Sequence, residues 1–407
     1  MNPSRPPAVV IGLDCITGLQ TARILARHGI PVFGIASDPG HFCCRTRVCE
    51  RIVAADTRSD ELIGALESLK SELDQKAVLF PCTDNSVAII SRNRSALDDA
   101  YHIALPENDV IELLMDKAKF STYATDNDLP VPQTLHVRRR EEAEMAAMSL
   151  RFPCIVKPSL KTPTWERNSR QKAYKVHSAD ELLAVYDRVS GSASVLLVQE
   201  WISGTERDHF TCNCYFGMDG TPLVTFVTRK IRQWPPQTGA GSFAIEFRND
   251  VVLRETMRLY EGVGFRGLGY LEMKRDARTG DHLIIEPNVG RPTGRSATAE
   301  AAGVELLYTM YCDVLGLPLP EGRLAQTYRG TKWMYLGWDI RSAFYYWRRG
   351  DLSVRDWLNS LRGPKVDAVF SWKDPLPFWF DAWRAVGVVS RSPRGRRSLS
   401  AGGAQAR

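Results

Sequence analysis

The sequence predicts an α/β chain with a doubly wound parallel sheet first, antiparallel sheets after it, and an aromatic-rich helical extension at the end. Three observations carry that expectation. Up to residue 112 short apolar runs alternate with helical stretches, the order that builds a parallel sheet covered by helices. Further on, apolar runs lie close together with turn residues between them, as in hairpins. From Lys332 to Trp383 the composition shifts, and seven of the ten tryptophans fall there.

Ala8 to Gly12 (AVVIG) reads as the first strand. Gly18 to His28 has helical periodicity, with Leu19, Ala22, Leu25 and Ala26 on one side, and Gly29 stops it. Pro31 to Ala36 is the next strand, so this first unit, residues 1–112, is expected to be Rossmann-like. Arg51 to Ala55, Ala77 to Pro81 and Tyr101 to Leu105 add strands, with helices over Ser59 to Leu73 and Asp84 to Leu97. The first turn reads GLDCITG and lacks GxGxxG, so a scaffold without its own dinucleotide is expected.

A second unit is expected over residues 113–325. Met115-Asp116-Lys117 stands at a helix start. Phe152 to Pro158 is a strand that ends on a lysine before proline, and Ser159 to Gln171 has no apolar periodicity and reads as a mobile loop. Arg138 to Leu150 and Ser178 to Val189 read as helices, and Val195 to Ile202 as a buried strand followed by SGTE. Asp208 to Phe216 and Pro222 to Lys230 pair around Asp219-Gly220, before an irregular Pro- and Gly-rich stretch from Ile231 to Ser242. After a helix over Asn249 to Val263 comes a second hairpin, Gly267 to Lys274 with His282 to Ile285, and then an amphipathic helix over Thr298 to Leu315. Residues 326–389 are expected to form the helical extension. The basic tail 390–407, with five arginines and no acid, is read as disordered.

Composition narrows the function. Charged residues make up 25% and apolar ones 44%, ordinary for a soluble globular protein. The net charge of +6 comes largely from the tail, so a nucleic-acid surface is not expected. Nine cysteines without CxxC or zinc spacing read as reduced thiols of a cytoplasmic protein. No apolar window is long enough to span a membrane, and Met1 to Pro7 does not read as a signal peptide.

The chemistry concentrates in the second hairpin. If it pairs about Thr279, Glu272 falls opposite Glu286. Like charges facing across a strand pair are destabilising, and a divalent cation between them removes the conflict. Asn288, two residues after Glu286, points the same way, and these hard oxygens suit Mg²⁺ with phosphate oxygens. Lys117, Lys157 and Lys230 stand at ends of apolar elements, where a cation costs desolvation unless an anion meets it. Triphosphate oxygens are such an anion.

MDK (115–117), PCIVKP (153–158), VQEWISGTE (198–206), the Glu272 strand and IIEPN (284–288), in this order, resemble the ATP-grasp superfamily, and in particular carboxylate–amine ligases such as D-alanine–D-alanine and D-aspartate ligases. The resemblance covers residues 8 to 315. It implies a Rossmann-like domain preceding a two-lobed ATP-grasp with antiparallel sheets. It also implies ATP with Mg²⁺ or Mn²⁺, an acyl-phosphate intermediate, amide formation, and release of ADP and phosphate. By position, Lys117 and Lys157 look like the lysines that hold the phosphates, and Lys230 like a further one. Gln199, with the backbone of Glu200, Trp201 and Ile202, looks like the adenine hinge, and Glu206 like the acid on the ribose. Glu272, Glu286 and Asn288 match the metal ligands, and Lys157, Lys230 and Arg291 the residues of the reaction itself.

Two departures stand out. The loop after Lys157 has no glycine, so Lys161, Arg167 and Arg170 become candidates to replace a glycine-rich phosphate lid. EPNVGR also puts one residue more before its arginine than the common E-x-N-x-R form. A bicarbonate-activating carboxylase and a non-catalytic ATP-binding module remain as alternatives. The expected partners are a small carboxylate and an amine. A homodimer, and a peripheral membrane or lipid-linked acceptor at the aromatic extension, stay open.

Overall fold

Residues buried on both faces make the first sheet parallel. The computed structural model describes residues 5–391 except 161, 162, 170, 172, 237, 238, 322 and 323. In it β1 (Ala8–Ile11), β2 (Val32–Ala36), β3 (Arg51–Ala54), β4 (Ala77–Pro81) and β5 (Tyr101–His102) form a five-stranded sheet in the order β3-β2-β1-β4-β5. All its pairs are parallel. Alternate residues of β1 serve two cores. Ala8 and Val10 pack with Leu19, Ala22 and Leu25 of the helix Ile16–Arg27, whereas Val9 and Ile11 pack with Leu62 and Leu66 of the helix Glu61–Lys70. A Cβ on Gly18 would lie 2.3 Å from the Gly12 carbonyl oxygen, so only glycine lets that first helix start against the end of β1.

The second sheet contains β6 (Thr134–Val137), β7 (Cys154–Pro158), β8 (Tyr174–Val176) and β9 (Leu196–Glu200), antiparallel in the order β6-β9-β7-β8. Cys154, Val156, Leu196 and Val198 face a core closed by the helices Arg140–Ser149 and Ala179–Val189. Lys157, Leu197 and Gln199 alternate onto the opposite face, which lines a cleft.

The third sheet has seven strands, ordered β14-β13-β10-β11-β12-β15-β16. They are β10 (His209–Phe216), β11 (Pro222–Trp234), β12 (Ala240–Glu246), β13 (Gly267–Arg275), β14 (His282–Val289), β15 (Lys332–Met334) and β16 (Lys365–Asp367). Only the β15–β16 pair is parallel. β14, at one edge, forms the other wall of the cleft.

Several sequence expectations are corrected. The stretch from Asp84 to Leu97 is two helices, Asp84–Arg92 and Arg94–Leu97, parted at Asn93. Thr298 to Leu315 is likewise broken into Ser296–Ala301 and Leu306–Val314, because Gly303 takes a φ of +91° between them. The stretch read as an irregular loop from Ile231 is strand up to Trp234 and again from Ala240. Within Ser159 to Gln171 lies a helix, Pro163–Asn168, whose Trp165 is buried edge-on to Tyr174 in the core of the second sheet. One buried tryptophan anchors that segment without any periodicity to reveal it. Arg167 on that helix is exposed, and Lys161 and Arg170 lie outside the described residues.

The extension is not purely helical. β15 pairs with β12, so a boundary at 325 cuts through the third sheet. It is also bolted to the first unit: the Arg23 guanidinium donates to Asp374 Oδ2 at 2.9 Å, and both side chains are buried. The helix Leu376–Arg391 reaches into the segment expected to be disordered, and 392–407 lie outside the described residues.

Candidate active site

β13 and β14 pair as the hairpin reading required. Glu272 is opposite Glu286, Tyr270 opposite Asn288, and a bulge follows where Met273 meets Ile284. The turn after Asn288 depends on Gly290, whose φ is +72°. A Cβ there would sit 2.6 Å from Leu105 Cδ2 and 2.7 Å from Val87 Cγ1. Glycine therefore lets the chain turn tightly against the first unit and present Arg291 to the cleft.

Arg291 is held from three sides. Its Nε donates to Asp84 Oδ1 at 2.5 Å and its Nη2 to Asn288 Oδ1 at 2.8 Å, while Nη1 donates to the Tyr270 hydroxyl. Burial alone would lower its pKa, but Tyr270 and Asp84 raise it and keep the guanidinium charged. Asp84, at the start of its helix, belongs to the first unit, so the site is assembled across units.

Glu272 meets Arg295, which donates from Nη2 at 2.9 Å and also to Thr211 Oγ1 at 3.2 Å. Burial would raise the Glu272 pKa, but Arg295 and Lys230 hold it below the ordinary carboxylate value. Lys230, on β11, donates to Gln233 Oε1 at 2.9 Å. Burial pushes its pKa down to about 8, opposed by Glu272 and reinforced by Arg295. Across the cleft Lys117 Nζ lies 3.9 Å from Glu286 Oε2. Lys117 opens the helix Lys117–Asp126, which Asp116 caps by accepting from the Ala118 and Lys119 N–H groups.

Lys157 Nζ donates to Gln199 Oε1 at 2.9 Å, and Gln199 Nε2 donates to Thr134 Oγ1 at 2.8 Å. Lys157 opposes Leu197 in register, so this bond runs diagonally between neighbouring strands. Desolvation pushes the Lys157 pKa down to about 8; Glu286 opposes the shift and Lys117 adds to it.

The side chain of Glu200 takes no part in the stretch expected to form the adenine hinge. Strand alternation turns its side chain away from the cleft to accept from the Arg151 N–H at 3.0 Å and from Arg151 Nη2 at 3.1 Å. The Glu200 and Trp201 N–H groups are taken by the Gln133 and Pro153 carbonyls. Lys274 Nζ donates to the Ile202 carbonyl at 2.8 Å. Trp201 offers its ring to cations, with Lys175 Nζ 4.3 Å and Lys274 Nζ 5.1 Å from the centroid. Glu206 heads the short helix Glu206–Asp208, where its charge acts on Lys230, Lys274 and Tyr346.

Sequence reasoning missed Arg295, Asp84, Thr134 and Tyr346. The second arginine in RPTGR was the one available signal; the others come from distant elements and carry none.

The residues suit Mg²⁺ delivered with a nucleotide better than a resident metal. Among the described residues no three His, Cys, Asp or Glu side chains gather as a metal cage. Two carboxylates and an amide, each beside a cationic side chain, can accept Mg²⁺ whose other ligands are phosphate oxygens and water. Asn288 Nδ2 and Arg295 Nε are buried without hydrogen-bond partners among the described residues. Two buried lysines with lowered pKa values likewise ask for anions.

No protein-family model matches the chain. A D-aspartate ligase of Enterococcus faecium (strain Aus0004) is 23% identical over 236 residues, 56% of each chain. A D-alanine–D-alanine ligase of Ectopseudomonas mendocina (strain ymp) is 32% identical over 183 residues, 43% of this chain and 55% of the relative. The chain spans little more than half the length of these relatives. Among solved structures, the ADP complex of N5-carboxyaminoimidazole ribonucleotide synthetase superposes with a TM-score of 0.61 at 16% identity, covering 80% of both chains. Biotin carboxylase of Campylobacter jejuni superposes with the same TM-score of 0.61 at 14% identity, covering 80% of this chain and 74% of that one. The chain is thus similar over part of its length to D-aspartate and D-alanine–D-alanine ligases, and it shares the fold of the N5-carboxyaminoimidazole ribonucleotide synthetase and biotin carboxylase structures.

Proposed function

We propose that the protein is an ATP- and Mg²⁺-dependent ligase that activates a small carboxylate as its acyl phosphate and joins it to an amine. The observation that carries the reading is that Glu272 and Glu286 face one another in register, with Glu286, Lys117 and Lys157 lining the cleft and the charge of Lys230 acting on Glu272. The described structure supports a Rossmann-like unit over 1–112 and a grasp unit from 113 that extends past 325 into β15 and β16.

Lys117 and Lys157 are assigned to the phosphates, with Lys157 leaving Gln199 for a stronger anionic partner. The Ile202 backbone and Trp201 are assigned to the base, and Glu206 to the ribose. Glu200 serves as a brace for β9. Glu272, Glu286 and Asn288 would hold Mg²⁺, which when bound would neutralise phosphate charge. The substrate carboxylate attacks the γ-phosphorus and ADP leaves. An amine then attacks the acyl carbon, expelling phosphate and losing a proton. Arg291, fixed by Asp84, Tyr270 and Asn288, and Lys230 stand where they can stabilise the anion that develops, without reorganising during the reaction. No side-chain nucleophile is required, and burial pushes the Cys212 thiol up to about 12, far from thiolate.

The D-aspartate and D-alanine–D-alanine ligases among the relatives favour this reading over a carboxylase. The test is Mg²⁺-dependent ADP release across a panel of amino acids and amines. Release stimulated by a defined carboxylate–amine pair supports it; release driven by bicarbonate alone replaces it with the carboxylase.

A further inference from the structure

The extension seats one of its helices on the strand that carries Lys230. The helix Leu336–Arg348 packs along β11, with Asp339, Ser342 and Tyr346 at i, i+3 and i+7 on one face. Ile340, Phe344 and Trp347 occupy the opposite face and are exposed. Asp339 takes Arg232 in a two-pronged pair, Nε to Oδ1 at 2.7 Å and Nη2 to Oδ2 at 3.0 Å, with both side chains buried. Trp357 Nε1 donates to the same Oδ2 at 2.9 Å. One turn on, the Ser342 hydroxyl donates to the Gln233 carbonyl at 2.9 Å, and the Gln233 side chain accepts from Lys230. A planar guanidinium held at two points fixes direction as well as distance, so these contacts set the helix in one place on the strand.

Tyr346 is the next residue along that face. The short helix Glu206–Asp208 packs on the same strand, which brings Glu206 to the end of the extension helix. The Tyr346 hydroxyl is shielded from water and makes no hydrogen bond of full geometry among the described residues. A buried hydroxyl is rarely left so, because nothing then offsets its desolvation. Its neighbour is the Glu206 carboxylate: burial is the first cause that raises the Tyr346 pKa, and Glu206 as acceptor is the second. The charge of Glu206 also acts on Lys230 of β11 and Lys274 of β13. Two cations and a phenol thus meet one carboxylate. The neutral phenol can hold one oxygen in place and leave the other, with its negative charge, for hydroxyl donors.

We propose that Tyr346 is a positioning residue for the nucleotide: it donates to one Glu206 oxygen and turns the other toward the ribose hydroxyls, so that the extension completes the nucleotide site. The proposal rests on the assignment of Glu206 to the ribose.

The experiment measures, by calorimetry on the full chain, the binding of MgADP and of its 2′,3′-dideoxy counterpart. Wild type should bind MgADP at least about tenfold tighter. Glu206→Ala should bring the two affinities within about twofold. Tyr346→Phe removes only the hydroxyl; it should lower the preference for MgADP about fivefold or more and leave the dideoxy affinity within about twofold of wild type. Added to Glu206→Ala, it should change neither affinity by more than about twofold. Both nucleotides are measured on one preparation, so a general loosening of the fold weakens them alike and does not imitate this result. A Tyr346→Phe protein that keeps the wild-type preference, or weakens both nucleotides equally, overturns the proposal and leaves the ribose assignment standing if Glu206→Ala has lost the preference. Glu206→Ala that keeps the preference overturns both.

Discussion

Replacing Lys157 with methionine separates the cost of a buried cation from its use. Desolvation lowers the lysine pKa from 10.5 to about 8, with Lys117 adding repulsion and Glu286 opposing it. At about 1.36 kcal/mol per pKa unit, that gap corresponds to about 3 kcal/mol. The native lysine gives up its proton near pH 8, while the unfolded chain keeps it until about 10.5. Between those values the unfolded state binds more protons, so stability rises with pH; below them both states are charged and the native state bears the whole cost. Methionine has similar length and no charge. Lys157→Met should therefore melt at or above wild type near neutral pH, by about 1–3 kcal/mol once the bond to Gln199 is lost. That advantage should shrink as pH rises through the window. Turnover should fall roughly 10²–10³-fold, and the rise in melting temperature on adding MgATP should shrink. Melts across pH with and without MgATP, paired with an ADP-release assay, read all three quantities. A Lys157→Met protein that melts well below wild type near neutral pH and turns over normally would make Lys157 a structural partner of Gln199 and place the phosphates elsewhere.

Glu286→Gln should abolish Mg²⁺-dependent turnover while moving apo stability by less than about 1 kcal/mol, because its pair with Lys117 is half exposed; melts and ADP assays on the same preparation check both. Arg295→Met removes the main cation holding the Glu272 pKa down, so Glu272 should take up its proton at higher pH. The acid limb of the kcat/KM profile should then move upward, and Arg295→Lys should restore most of its position. Asp374→Asn leaves Arg23 buried without its counter-charge and should cost about 3–5 kcal/mol in urea unfolding, with the cleft's nucleotide response retained.

The parallel sheet was legible because each strand is a compact apolar run and each helix carries its own stripe and stop. The pairing of Glu272 with Glu286 was legible for a different reason: a two-residue strand period leaves few registers that bury GLGYLE against LIIE. What the sequence hid depends on partners far apart in the chain. Glu200 sits beside Gln199 in the same motif, yet its side chain faces Arg151, because neighbours on a strand point to opposite faces. Trp165 anchors a helix that has too few apolar residues to show a period. β15 and β16 are three residues each, too short to signal, and join the sheet only because β12 offers an open edge.

The central claim is transfer of the γ-phosphoryl group to a carboxylate in the cleft between β7, β9 and β14. It is tested most directly by supplying MgATP with a pool of amino acids carrying ¹⁸O in their carboxylates and measuring the isotope in the released phosphate by ³¹P NMR. The account predicts ADP together with phosphate that holds one ¹⁸O from the substrate, and loss of that label in the Glu286→Gln protein. Release of AMP and pyrophosphate, or of phosphate without ¹⁸O while an amide is formed, would contradict it.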